Sequence, residues 1–154
     1  MQIALADLDS PGVQELVRLH LEGMHDDSPP ESIHALGLAG LRSPEVTVWS
    51  ASDGGHVLGI GALRVESGAS EGEIKSMRTD PRHVGRGVGR GILRAIIDEA
   101  TGRGLHRLSL ETGATESFGP AHRLYLSEGF EPCGPFGSYG EDPFSRFFTL
   151  SLPR

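Results

Sequence analysis

Residues 78–93 read RTDPRHVGRGVGRGIL, with glycines at 85, 87, 89 and 91 spaced two apart and an apolar pattern of helical period directly behind them. That spacing suits anion binding. Without a Cβ, successive glycines let backbone N–H groups converge on one point, and a helix starting there adds the positive end of its dipole. From 78 to 94 five arginines, at 78, 82, 86, 90 and 94, stand against one acid, Asp80, so this stretch is positive in a chain whose formal charge is −7. The ligand it predicts is anionic, and phosphate fits the seat.

Two better-known phosphate loops fit badly. A Walker A loop needs Lys after its glycines, and the only lysine here, Lys75, lies upstream. A dinucleotide fingerprint needs a strand directly before the turn, where this chain has Pro81 and a polar linker. A glycine-rich loop without a ligand stays open at this point.

The surrounding elements must hold that loop against a core. Residues 88–102 put Gly89, Ile92, Leu93, Ile96, Ile97 and Ala100 on one helical face. Residues 106–112 alternate, Leu108 and Leu110 on one side and Arg107, Ser109 and Glu111 on the other, which is a strand. Upstream, 46–50 and 56–65 are β-rich runs joined by Ser52-Asp53-Gly54-Gly55, a hairpin signal, and 72–79 is a third run. The sheet therefore begins as an antiparallel meander, and strand, helix, strand across 72–112 is a right-handed crossover to a parallel neighbour. At the start, 2–6 is a strand. Asp9 or Ser10 with Pro11 opens a helix carrying Val13, Leu16, Val17 and Met24 and ending near 23–26. A second helix is predicted over 31–41. The loop between them, with His25 and the nearby His34, is either a solvated cap or one wall of a substrate site. At the end come a helix over 117–128 with Ala121, Leu124 and Tyr125 on one face and Gly129 as its stop, then strands at 130–133 and 146–152. GPFGSYGEDPFS between those strands is loop by composition. The expected fold class is α/β in three layers, its mixed, mostly antiparallel sheet containing one parallel pair.

The 154 residues suit one domain, 1–154, with a sizeable core. No basic leader and no apolar stretch approaching the length of a membrane span is present, so a cytoplasmic protein without a membrane partner is expected. The acidic balance argues against nucleic acid. Cys133 is the single cysteine, and its neighbours Phe130 and Phe136 mark it as a small hydrophobe rather than a nucleophile. Without a His-x-x-x-His pair or a Cys/His cluster, no metal is expected.

Two segments together carry a family resemblance: MRTDPRHVGRGVGRGIL and, downstream, PAHRLYLSEGF. Over essentially its whole length the chain resembles the GNAT superfamily of acetyl-CoA-dependent N-acetyltransferases, and SLETG and CGPFGSY are similar to its bacterial YsnE-like branch. The resemblance implies the GNAT-type version of the three-layer α/β/α fold. It also implies that the loop seats the pyrophosphate of acetyl-CoA. The family pattern Gln/Arg-x-x-Gly-x-Gly/Ala places its glycines on Gly87 and Gly89 and puts Val84 where Gln or Arg is usual. Backbone N–H groups of Gly85, Arg86, Gly87, Val88, Gly89 and Arg90 would hold the phosphates, with Arg82 or Arg86 replacing the contact that Val84 lacks. The strand ending in Met77, Arg78 and Thr79 would pair with the pantetheine arm and hold the thioester carbonyl through the backbone of Met77 and Thr79. Phe118 stands where many members have Asn, which removes an amide contact. The implied partners are acetyl-CoA and an amine acceptor, with a homodimer left open.

Acetyl transfer needs a neutral amine, a polarised carbonyl and a proton for the departing thiolate. An alkyl ammonium of pKa about 10.4 is about 0.1% neutral at pH 7.4, which adds roughly 4 kcal/mol to the barrier, so a base is worth having. Glu73, sixteen residues before Gly89, has the separation found for the catalytic glutamate of the histone-acetylating members. Glu111 on the predicted parallel neighbour competes for the role, and a surface strand acid is the alternative for Glu73. Tyr125, in LYLSEGF, matches the family tyrosine whose hydroxyl reaches the cofactor sulfur; a core aromatic is its alternative. His83, His106 and His122 could each be a base, with His122 expected to face solvent. The expected function is an N-acetyltransferase moving acetyl from acetyl-CoA to a primary amine of a small molecule or protein by direct attack in a ternary complex. A non-catalytic acyl-CoA-binding sensor or scaffold is the alternative, and no residue distinguishes the acceptor.

Overall fold

The computed structural model describes residues 1–153. Its centre is a seven-stranded sheet ordered β1-β2-β3-β4-β5-β7-β6, with β1 Gln2–Leu5, β2 Val46–Asp53, β3 His56–Arg64, β4 Glu71–Thr79, β5 Arg107–Gly113, β6 Glu131–Cys133 and β7 Ser145–Ser151. Only β4 and β5 pair in parallel; the other neighbours are antiparallel. Helix α1, Pro11–Asp27, covers one face, while α3, Val88–Gly102, and α4, Gly119–Ser127, pack with the other, which gives the expected three layers.

Local sequence accounts for most of this. Ser10 caps α1 by accepting the Val13 N–H at 3.4 Å, with Pro11 in the first turn. The apolar stripe Val13, Leu16 and Val17 then buries against Val48, Ile60 and Ala62. On the opposite face Ile92, Leu93, Ile96 and Ala100 bury against Leu63, Ile74, Leu108 and Leu110. Each such large aliphatic side chain contributes about 1.5–3 kcal/mol when withdrawn from water. Among the described residues no helix is long and apolar enough to cross a membrane.

Three expectations are corrected. The helix predicted over 31–41 is a 3-10 turn at Pro30–Ser32 and one helical turn, α2, Leu38–Leu41, because Ile33 is extended and Gly37 enters α2 without a side-chain cap. The helix predicted from 117 starts at Gly119, after a 3-10 turn, Glu116–Phe118. His122 is only partly open to solvent: its Nε2 lies 2.8 Å from the Gly113 carbonyl and its ring leans on Phe148, tying α4 to the end of β5.

Two irregularities open the sheet. Ile60 pairs with Arg78 but Ala62 pairs with Lys75, so β4 carries an extra residue, and Ser76 takes φ +57° there. The β4/β5 ladder stops at Ile74 and Leu110. Beyond that point the parallel strands diverge, and a notch opens between them.

Candidate active site

The notch widens into a cleft of about 620 Å³ whose walls come from α1, the 33–37 loop, β4, the glycine loop, β5 and α4. At one end is the seat predicted for phosphate. Gly85 and Gly87 have φ +79° and +78°, a left-handed conformation that an L side chain enters only with strain, and Gly87 is the N-cap of α3. Beyond their chain neighbours, no atom lies within 4 Å of where their β-carbons would stand, so the loop is open on that side. A β-carbon on Gly89 would come within 3.3 Å of Leu124, which brings the helix start against α4. These features fit a pyrophosphate held by backbone donors.

The arginine side chains are mostly engaged elsewhere. Arg82 clasps Asp80 at 2.8 Å, which holds that carboxyl down to about 2. Arg90 and Arg94 converge on Glu128 at 2.7 and 2.8 Å. Arg86 reaches His83 at 2.7 Å and does not line the cleft. Val84 is 64% exposed. The compensation expected from Arg82 or Arg86 therefore meets side chains already partnered.

At the other end of the cleft lie Tyr125, Glu73 and Glu111. Tyr125 is 4% exposed, with Phe130 and Phe148 at ring distances of 5.8 and 5.9 Å, and burial pushes its phenol up. Glu73 is occupied: its Oε2 accepts from Lys75 at 3.1 Å and from the Tyr139 hydroxyl. Glu111 accepts one hydrogen bond, from the Ser145 hydroxyl at 2.7 Å, and burial raises its carboxyl above the ordinary range. His34 lines the cleft with its ring edge-on to Tyr139, whereas His25, His83, His106 and His122 do not line it.

Sequence reasoning missed three participants. Tyr139 comes from the loop between β6 and β7, where no periodicity announces an inward side chain. Lys75 stands out in the sequence only as its sole lysine, and nothing there sets it beside Tyr139. His20 could have been found: it stands at helical spacing among the buried Leu16, Val17 and Met24, and a histidine inside such a stripe asks for a partner. Its partner is Arg78, whose Nε donates to Nδ1 at 3.1 Å. Burial, then the charges of Arg78 and Lys75, push the imidazole down to about 3, so it is neutral with its proton on Nε2.

Residues 12–130 match the acetyltransferase (GNAT) family. The chain belongs to that family. The uncharacterized N-acetyltransferase YsnE of Bacillus subtilis (strain 168) is 53% identical over 152 residues, covering 99% of this chain and 100% of that protein. A Klebsiella pneumoniae protein described as an acyl-CoA N-acyltransferase is 25% identical with a TM-score of 0.78, covering 98% of this chain and 97% of that one. YncA of Salmonella typhimurium, solved with its cofactor acetyl-CoA, shares the fold at 20% identity and a TM-score of 0.68, covering 99% of this chain and 94% of that one. The GNAT fold, the YsnE-like branch and the acyltransferase class read from the sequence all stand on these likenesses.

Proposed function

We propose that the protein transfers an acetyl group from acetyl-CoA to a primary amine of a small molecule or protein, by direct attack while both are bound. One observation carries the reading: a single cleft joins a backbone anion seat at the start of α3 to a buried tyrosine and a half-buried carboxylate with a raised pKa. Bound acetyl-CoA would supply an acyl group activated as its thioester. Amides of residues 85–90 hold its phosphates, and the edge of β4 at Met77 and Thr79, left free by the divergence from β5, pairs with its arm. Glu111 takes up the amine's proton, a role suited to a carboxyl raised by burial and held by a single hydroxyl. Glu73, the base suggested by spacing, serves better as the group that fixes Lys75 and Tyr139, since both already bond its Oε2. Tyr125 donates toward the departing sulfur.

Mixing the purified protein with acetyl-CoA and a panel of amines, with thiol release and product mass followed together, tests this. Acceptor-dependent release with a product heavier by one acetyl group is expected. Tight acetyl-CoA binding with no product from any amine would instead mark a binding module.

A further inference from the structure

Among the described residues no carboxylate stands within ion-pair distance of Arg78, and the acid whose charge reaches it, Asp27, acts from further off. The Arg78 Nε is taken by the neutral His20, and its Nη groups lie against α1 at Gly23, where a β-carbon would stand 2.8 Å from Nη2 and 3.4 Å from Nη1. Every other partly buried cation among the described residues has a carboxylate: Arg64 with Glu45 at 3.4 Å, Lys75 with Glu73 at 3.1 Å, Arg90 with Glu128 at 2.7 Å and Arg107 with Glu71 at 3.5 Å. Arg123 and Arg146, which have none, are exposed. Acids are not scarce, at 21 against 14 basic residues. A guanidinium withdrawn from water and left unpaired is costly, and here it lines the cleft.

The phosphate seat is not its partner. Arg78 pairs in register with Ile60, and Ile60 belongs to the core beneath α1, so the guanidinium works on the α1 face while the seat opens at the start of α3. Glu73 and Lys75 offset each other there, which leaves Arg78 with Glu111 and Asp27 as the cleft-lining charges that hold no ion pair. One cation and nearby acids suit a monoanion that also bears an ammonium group. Ser32 donates to Asp142 at 2.5 Å and His34, which lines the cleft, meets Tyr139 at a ring distance of 4.9 Å, so the loops before α2 and before β7 are joined at its margin. A margin closed on that side suits a small molecule rather than a polypeptide.

We infer that the acceptor is a small amino acid or related amino-carboxylate, its carboxylate received by the Nη groups of Arg78 while its amine lies toward Glu111. The inference rests on the acyl-transfer reading and names its substrate class. Arg78 is then the residue that sets specificity, and His20 and Gly23 position its fork.

The test compares the standard amino acids with their carboxamides as acceptors at saturating acetyl-CoA, in wild type, Arg78→Met and Arg78→Lys, with acetyl-CoA binding followed by calorimetry. In wild type, kcat/KM for at least one amino acid should exceed that of its amide about 10²-fold, the worth of a charge-assisted pair. Arg78→Met should erase the ratio by lowering the acid alone, Arg78→Lys should keep part of it, and acetyl-CoA affinity should hold. Amides used as well as acids, no amino acid accepted, or a ratio that survives Arg78→Met would each overturn the inference. If acetyl-CoA still binds and other amines are acetylated in those cases, acyl transfer stands without it. Loss of acetyl-CoA binding in the wild type would remove both.

Discussion

Ser145 donates its hydroxyl to Glu111 at 2.7 Å from β7, the strand that pairs with β5, and this is the only hydrogen bond holding that carboxylate among the described residues. Burial raises the folded pKa of Glu111 above its ordinary 4.5, so the fold favours the neutral acid. The stability this lends is fully present below about pH 4.5 and is lost as pH rises through the raised value. Glu111→Gln should therefore melt higher than wild type at neutral pH, with the gap closing in acid. Turnover should fall about 10²-fold or more. Calorimetric melts across pH beside rates of CoA release check both; full activity in Glu111→Gln and loss in Glu73→Gln would move the base to Glu73.

Tyr125→Phe keeps the ring between Phe130 and Phe148 and removes only the hydroxyl. A lost general acid slows the chemical step about 10²–10⁴-fold, whereas a hydroxyl that serves packing alone is worth about 1 kcal/mol of stability and little rate. The first outcome is expected. Single-turnover rates and a melting curve on one preparation distinguish the two.

Gly87→Ala forces a side chain into φ +78° at the N-cap of α3, at a cost of about 1–2 kcal/mol, although nothing lies within 4 Å of the new carbon. Acetyl-CoA should bind more weakly through backbone rearrangement alone. Gly89→Asp should abolish binding by placing a like charge at the seat and pressing on Leu124. Calorimetric titration with acetyl-CoA reads both.

Ser76 combines φ +57° with a buried hydroxyl that finds no partner among the described residues. Ser76→Gly relieves both, and after the added freedom of the unfolded chain it should stabilise the protein by about 0.5–1 kcal/mol in denaturant titration. A loss of stability would point to a hydrogen bond that the hydroxyl makes in solution.

The fold was legible where periodicity and punctuation agree. α3 runs from Val88 to Gly102 as its apolar face dictates, and Ser10 with Pro11 opens α1 as composition requires. The sequence was weaker where tertiary contacts decide. Residues 31–41 have helical content, yet a bond from Ser32 to Asp142 and extended backbone at Ile33 break them up. The glycine seat could be read because its chemistry lies in consecutive residues. The Glu73, Lys75 and Tyr139 cluster could not, because Tyr139 arrives from a loop 66 positions away in the chain. Nor could the pairing of Arg90 and Arg94 with Glu128, which turns an apparently free positive segment into a strut between α3 and α4.

The divergence of β4 from β5 beyond Ile74 and Leu110 leaves the sheet one strand short over its most important stretch. Amides on the β5 side of β4 beyond that point lie outside the parallel ladder, so they should exchange their hydrogens with deuterated water faster than those of Glu71 to Ile74, where the ladder is intact. A ligand whose own amides lie along that edge acts as a missing strand, and the slowing of exchange it causes would trace its path residue by residue.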